Sequence, residues 1–341
     1  MPDAADRPLW NGFARRYING FIPCFEGETA LESSKYDLIR ADQELDLYPG
    51  EPKTLNHLAC EDRRLDEQQR WVGVAALMTL KGDVDNLGAL FERGLSEPTF
   101  ARMAAFSRQM NAFFAVYLPW LCRAEFPNTY TVFAGGDDFF LIGPWWSQIR
   151  LAARMQAEFT RYVTGNPAIT FSAGLAMTKA GIPIRTLGQL AEQALEEAKG
   201  HSLDDLASVA KNAVHCFGQT VGWNVFASLL QTRSELERLA QDLRLSTGYL
   251  YNLLILTDRA ENLRSGRTGY RGERRINPEN ALWHSQFAYR TRRLLERQKG
   301  MTEDARRRWQ QELAAVIANN IERLGGAYKI ALFAYLYQQR D

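Results

Sequence analysis

The order of apolar and amphipathic segments between Trp71 and Phe217 constrains the fold more than any other feature of the chain. Apolar runs of strand length lie at residues 72–80, 130–134, 139–142, 168–177 and 213–217. Stretches with helical periodicity separate most of them, at about 96–117, at 147–163 and in a third stretch that ends at Lys199. This order contains the split βαββαβ unit of a ferredoxin-like sheet, the architecture of polymerase palms and nucleotidyl cyclases.

The flanking regions have different patterns. Residues 1–70 lack clear periodicity and are rich in charged residues and turn formers, which predicts a connecting segment. After Trp223 the pattern is almost wholly helical, with predicted helices at 234–243, 247–263, 280–298, 302–321 and 328–339. We therefore predict an α+β chain: a connecting segment over 1–70, a palm over 71–225 and an all-α helical domain over 226–341.

The overall charge of +1 excludes no class of partner, but the charged residues are unevenly distributed along the chain. Residues 259–308 contain 14 Lys and Arg against 6 Asp and Glu, which indicates either a solvated helical face or a basic surface for RNA or phosphate. No apolar run approaches the roughly 20 residues that span a bilayer, and the polar start does not resemble a signal peptide. We therefore expect a cytoplasmic protein with no membrane partner.

Carboxylates are concentrated where two of the predicted strands end. Asp83 and Asp85 follow the first strand, and Asp137 and Asp138 lie in the turn of the central hairpin. We expect the first strand of a ferredoxin-like sheet to lie beside the strand that enters the central hairpin, which would place these two sites next to each other. The carboxylates would then repel one another and raise each other's pKa. Mg²⁺ resolves such a conflict, because it binds one or two carboxylates and completes its shell with water and substrate phosphates. The pattern predicts a metal-dependent site for phosphoryl transfer.

Two further features fit that chemistry. Gly135 and Gly136 allow a tight turn and leave no side chain between the backbone and a triphosphate. Lys199, at the end of a helix, supplies a point charge within reach of such a ligand. Each feature alone also has a simpler explanation, since Gly-Gly-Asp-Asp is a common surface turn and a lysine at a helix C terminus favours the helix dipole.

Two motifs resemble a known family. Lys-Gly-Asp-Val-Asp-Asn-Leu-Gly at 81–88 and Phe-Ala-Gly-Gly-Asp-Asp-Phe-Phe-Leu-Ile-Gly-Pro-Trp at 133–145 are similar to the second palm of the CRISPR polymerase. This protein is the large subunit of type III effector complexes, and the similarity is strongest to the III-A (Csm) branch. Supporting stretches are 106–114, 170–174 and 211–214, together with residues 13–23, which resemble the segment before this palm.

The resemblance implies an activity and a set of partners. In the family, target RNA pairs with the guide RNA, and the palm then joins ATP 3′ to 5′ into cyclic oligoadenylates that activate defence nucleases. The implied partners are the small subunits, the subunit that binds the guide end, the guide and target RNAs, and an HD-nuclease and first-palm half. The sequence shows no counterpart of that half, so we expect a fragment or a split subunit.

The resemblance also implies roles for individual residues, with Mg²⁺ or Mn²⁺ as cofactor and ATP as substrate. Asp83, Asp137 and Asp138 correspond to catalytic residues. The implied metal ligands are Asp83, the Val84 carbonyl, Asp137 and Asp138, and the implied nucleotide-binding residues are Gly135, Gly136, Ser172 and Lys199.

Two other functions remain open from the sequence. A stand-alone diguanylate cyclase typically has Glu-Phe after Gly-Gly-Asp, whereas Asp138-Phe139 follows here. A non-catalytic scaffold subunit of the CRISPR ribonucleoprotein is the second alternative. The presence of all four acidic residues argues against a decayed site and so against the scaffold. The absence of a first palm argues for the scaffold.

Overall fold

The structure is a computed structural model that describes residues 20–27, 33–40, 48–94, 99–200, 211–265 and 278–340. The predicted connecting segment and the motif at 13–23 therefore lie partly outside the described residues. The strands are β1 Arg64–Leu65, β2 Trp71–Val72, β3 Leu77–Val84, β4 Tyr130–Gly135, β5 Asp138–Pro144, β6 Phe171–Thr178, β7 Ala213–Cys216 and β8 Gln219–Gly222. The first helices are α1 Asp37–Arg40, α2 Leu55–Cys60, α3 Leu87–Arg93, α4 Phe100–Ala112, α5 Leu118–Glu125, α6 Trp145–Tyr162 and α7 Ile184–Lys199.

The second half of the described chain is helical. Its helices are α8 Trp223–Leu243, α9 Thr247–Ser265, α10 Pro278–Ala281, α11 Trp283–Glu296, α12 Glu303–Leu313, α13 Asn319–Leu324 and α14 Tyr328–Gln339. The π-helical turns Phe113–Tyr117 and Ala314–Ala318 join α4 to α5 and α12 to α13. None of the helices in the described ranges combines the length and the apolar character needed to cross a membrane.

The main sheet has the order β4-β5-β3-β6-β7-β8. Its first four strands are antiparallel, with β3 between β5 and β6, as in the ferredoxin-like unit. β7 adds in parallel to β6 after the crossover helix α7, and β8 returns antiparallel beside it. The predicted fold class, an α+β palm followed by a helical region, is confirmed.

The first strand of this unit differs from its prediction. We predicted a strand at 72–80 followed by a loop, but β3 begins at Leu77 and continues through Val84. Gly73 has φ +104°, a left-handed conformation that interrupts an extended strand. Pairing with β5 and β6 on both sides then carries β3 four residues beyond Leu80, so Asp83 belongs to the strand itself.

The palm and the C-terminal helices share one hydrophobic core. Its contiguous buried cluster extends from Ala76 in the palm to Leu336 in α14. At the junction the indole Nε1 of Trp223 donates a hydrogen bond of 2.8 Å to the Phe171 carbonyl of β6. A smaller cluster packs α2 and α7 against the opposite face of the sheet. The sheet is therefore covered on both faces, and its functional residues lie at one end of the strands.

Candidate active site

The Gly-Gly-Asp-Asp tetrad forms the tight turn between β4 and β5. Gly135 ends β4, Asp138 begins β5, and these two residues pair across the hairpin. Gly136 has φ +67°, whereas Asp137 is not among the described residues with positive φ, which is the pattern of a type II′ turn with glycine in its first position. A Cβ at Gly136 would meet nothing within 4 Å, so it is the backbone conformation that favours glycine there.

The register brings the two acidic motifs together, as the sequence predicted. Asp83 of β3 pairs directly with Asp138 of β5, so their Cβ atoms lie on one face, about 4.5–5.5 Å apart. The Val84 amide donates a hydrogen bond of 3.0 Å to the Asp137 carbonyl, which fixes the turn against the end of β3. Burial, and then repulsion from Asp137 and Asp83, raises the pKa of Asp138.

Lys199 approaches this cluster from the other side. Gly174 of β6 lies beneath α7, where a Cβ would collide with the backbone of Ala194 and Leu195, so the helix packs close against the sheet. The Lys199 ammonium at the end of α7 is 2.7 Å from the Asp83 carboxylate. Partial burial lowers the pKa of Lys199, but the bond to Asp83 outweighs this effect and raises it overall. The lysine is therefore a fixed positive charge beside Asp83.

Asp85 does not belong to this open cluster. Its side chain is only 2% exposed and accepts hydrogen bonds from the hydroxyls of Thr170 (2.7 Å) and Ser172 (2.8 Å) and from the Asn212 amide (2.9 Å). Ser172, which the sequence suggested as a nucleotide-binding residue, is fully buried. Its hydroxyl would have to give up the bond to Asp85 to contact a ligand, so this side chain has a structural role here.

Asn111 of α4 is a residue of the site that the sequence did not single out. Its side-chain oxygen accepts a hydrogen bond of 2.9 Å from the Gly136 amide. A Cβ at Gly135 would lie 3.4 Å from the same oxygen. Asn111 occurs in the matching stretch 106–114, which was the available signal, but its contact joins residues that are 25 positions apart. It holds the turn in place without occupying the face that carries the carboxylates.

The donor set fits a hard divalent cation, although one of its members, Asp83, is paired with the Lys199 ammonium. Within the described ranges, no group of three or more His, Cys, Asp or Glu side chains is placed to hold a metal ion. The carboxylates of Asp83, Asp137 and Asp138 are nevertheless the oxygen ligands that Mg²⁺ prefers. Burial, and then repulsion from Asp137 and Asp83, raises the pKa of Asp138, and a bound cation would offset that repulsion.

Comparison with known proteins gives the class of the domain that carries this site. A protein-family model described as the second palm domain of Cas10/Cmr2 matches residues 76–207, which include both acidic motifs and Lys199. Residues 76–207 are therefore similar to a palm of the Cas10/Cmr2 class. The resemblance to the large subunit of type III-A effector complexes is confirmed.

Curated relatives define the similarity more closely. The Cas10/Csm1 protein of Methanocaldococcus jannaschii, named a CRISPR system single-strand-specific deoxyribonuclease of subtype III-A, is 32% identical over 169 residues, covering 45% of this chain and 21% of the relative. The protein of the same name from Mycobacterium tuberculosis is 28% identical over 237 residues, covering 62% of this chain and 28% of the relative. The matched regions thus span about a quarter of the relatives' length.

Solved structures share the fold. A Csm1–Csm4 cassette in complex with AMPPNP matches 84% of this chain and 38% of its own with a TM-score of 0.55 and 24% identity. A Csm1–Csm4 cassette in complex with cA4 matches 84% of this chain and 39% of its own with a TM-score of 0.54 and 23% identity. The similarity therefore extends beyond the palm into the helical region.

Proposed function

We propose that this chain is the ATP-polymerising part of a type III-A effector large subunit and that it joins ATP 3′ to 5′ into cyclic oligoadenylates when target RNA binds. The observation that carries the proposal is the convergence of Asp83, Asp137 and Asp138 at the hairpin turn, with the Lys199 ammonium beside Asp83. The solved relatives include cassettes in complex with ATP and with cA3, which supports nucleotide binding at a palm of this shape.

The site's own residues account for binding and positioning. Asp83, Asp137 and Asp138 would hold Mg²⁺ or Mn²⁺, with the Val84 carbonyl as a further ligand, and the ion would neutralise charge on the triphosphate during in-line displacement. The turn at Gly135 and Gly136 presents backbone without side chains to that triphosphate. Because the reaction is mostly positioning and charge neutralisation, these groups suffice for the palm's share of the chemistry.

Lys199 has two roles in this proposal. In the structure its ammonium neutralises Asp83, a position in which it competes with a divalent cation for the same carboxylate. With metal and nucleotide bound, Lys199 would be free to leave Asp83 and contact the triphosphate as a point charge. The pair thus keeps the acidic cluster partly neutralised until substrate and metal arrive together.

The assembly around the site follows from the same relatives. The solved structures are Csm1–Csm4 cassettes, so the proposed partners include a guide-end-binding subunit of that type, the small subunits, guide RNA and target RNA. The chain matches 38% of each of these two solved chains, and we propose that the HD-nuclease and first-palm half is contributed from outside residues 1–341. The second nucleotide would bind where the two palms meet.

The test uses the assembled complex with guide RNA, radiolabelled ATP and Mg²⁺, with and without target RNA. We expect cyclic oligoadenylates only with target RNA, and none from the double variant Asp137→Asn/Asp138→Asn, which keeps the shape of the hairpin. The matched control is Asp242→Asn, an exposed carboxylate of α8 that pairs with Arg238. Absence of product from an assembled, target-bound wild-type complex would refute the proposal and favour a scaffold.

A further inference from the structure

A second site lies in the helical region, between α9 and α11. It is a groove of about 880 Å³, outside the palm, and the side chains that line it include five arginines. We call it the arginine groove and define it by Arg244, Arg259, Arg290, Arg293, Arg297 and Tyr289. No Asp or Glu is among the described residues that line it.

Helical periodicity places three of these arginines on one stripe. Arg290, Arg293 and Arg297 follow i, i+3, i+7 spacing along α11 and its C-terminal end, so they project from the same face. The neighbouring stripe of the same helix is buried against the core, and its members are Trp283, Phe287, Thr291 and Leu295. The packing of the buried stripe therefore fixes which way the arginines point.

The charge in the groove is largely uncompensated. The side chains of Arg244, Arg290 and Arg297 make no ion pair or hydrogen bond to any described residue. Two other exposed arginines of the helical region are paired, Arg292 with Glu296 at 2.9 Å and Arg238 with Asp242 at 3.1 Å. Like charges lining one groove repel one another, and an anionic ligand removes that repulsion.

The exposed ring of Tyr289 lies beside the arginines. It offers a stacking surface, which a ligand with an aromatic base can use and a simple inorganic anion cannot. Tyr289 is 59% exposed, and its ring lies 5.8 Å from the guanidinium carbon of Arg293. Its hydroxyl accepts a hydrogen bond of 3.1 Å from the same arginine, which holds the side chain in position. An exposed aromatic ring flanked by arginines is a platform on which a nucleobase stacks while its phosphates meet the guanidinium groups.

We infer that the arginine groove binds a single-stranded nucleic acid through its phosphodiester backbone, with one base stacked on Tyr289. A groove of this volume falls in the range of sites for small ligands, which fits a few nucleotides of a single strand and not a duplex. The arginine side chains are forked donors that match phosphate oxygens. This inference concerns binding by the free chain and does not depend on ATP polymerisation.

The electrostatic part of this binding has a measurable signature. If three phosphates are neutralised, log K falls with log salt with a slope of about −2, since single strands give roughly −0.7 per phosphate. Raising salt from 50 to 200 mM should then weaken binding about 20-fold. Loss of the Tyr289 ring should weaken it by about tenfold with little change in slope, because stacking releases no counterions.

The experiment measures fluorescence anisotropy of a labelled 12-nucleotide oligouridine with the full-length chain, in the absence of ATP. The groove variant is Arg290→Ala/Arg293→Ala, and Tyr289→Leu tests the stacking platform separately. The matched control is Arg292→Ala, an exposed arginine of the same helix that lies outside the groove and pairs with Glu296. Circular dichroism of each variant checks that the helices are intact.

We expect at least tenfold weaker binding and a salt slope reduced by about 1.4 in the groove variant, with unchanged binding in Arg292→Ala. A 12-nucleotide oligothymidine in the same titration distinguishes RNA from DNA as the natural strand, and either result supports the inference. Equal binding by groove variant and wild type, or no binding by wild type at 50 mM salt, would overturn it. Tighter groove-dependent binding of an oligoglutamate peptide would also overturn it and point to an acidic protein partner.

Discussion

The two aspartates at the end of β3 have opposite roles, and mutating Asp85 separates them. Its carboxylate accepts three hydrogen bonds that join β3 to β6 and to the start of β7. Asp85→Ala removes all three. Asp83→Asn, two residues earlier, changes a partly exposed group whose described partner is the Lys199 ammonium, so its effect on stability should be within about 0.5 kcal/mol.

The cost of Asp85→Ala follows from where the three donors are. Thr170 is partly buried and Asn212 is exposed, so water replaces much of what they lose. The hydroxyl of Ser172 is fully buried and is left without its acceptor. Taking the loss of one charged hydrogen bond in full and the other two in part, we expect a decrease of about 3 kcal/mol in the free energy of unfolding.

The assay is urea unfolding at pH 7, followed by tryptophan fluorescence and by circular dichroism, whose coincidence checks that the transition is two-state. In the background of Asp85→Ala, the further change Ser172→Ala should cost about 1–2 kcal/mol less than it does alone, because the hydroxyl no longer has an acceptor to lose. A loss below about 1 kcal/mol for Asp85→Ala, or strict additivity of the two changes, would refute the structural role of this carboxylate.

Three further predictions concern the active site. The folded-state pKa of Asp138 is raised above its unfolded value, so ionisation of this carboxyl makes the folded state less stable as pH rises. Asp138→Asn cannot ionise and should therefore be more stable than wild type at pH 7. The difference should vanish below about pH 4, and urea unfolding at both pH values measures it. Lys199→Gln should tighten Mn²⁺ binding to the free chain and weaken ATP binding in titration calorimetry, whereas Lys329→Gln, which alters a lysine paired with Asp258, should change neither. Gly82→Ala should cost about 1–3 kcal/mol in urea unfolding, because its Cβ would overlap an aromatic ring of β5 and lie 3.0 Å from a β6 carbonyl.

Each of these has a clear contrary result. Asp138→Asn less stable than wild type at pH 7 would mean that the carboxylate is stabilised by contacts that outweigh its crowding. Unchanged Mn²⁺ affinity in Lys199→Gln would mean that the lysine does not compete with the metal for Asp83. A neutral Gly82→Ala would mean that the Phe139 ring moves aside at little cost.

The sequence predicts that Asp83 meets the hairpin turn, because a ferredoxin-like sheet places the first strand beside the central hairpin. The predicted neighbour, the strand that enters the hairpin, is wrong, since β3 pairs with β5, the strand that leaves it. Both strands of the hairpin meet at the same turn, so Asp83 still lies opposite Asp138. The position of Lys199 at the end of α7 is likewise confirmed, since helical periodicity and Gly200 define that end.

The sequence does not predict that Asp83 is partly exposed at the site whereas Asp85 is buried and hydrogen-bonded. The two aspartates are alike in type and lie two residues apart, but β3 ends at Val84 and Asn86 has φ +52°. Asp85 thereby meets hydroxyl donors 85 and 87 positions away, whose location depends on how β6 packs. In the basic segment, charge counting predicts a positive surface, but which arginines are paired depends on the placement of each side chain.

The continuous core has a consequence for how the palm and the C-terminal helices can move. Two domains joined by a flexible linker can adopt two relative orientations. Here the same buried cluster extends from the sheet into the last helix, α14. Opening a hinge at that junction would expose apolar side chains to water, at about 25 cal/mol for each Å². Binding of a partner to the helices is therefore expected to displace the palm and the helices together, as one rigid body, without bending at their junction.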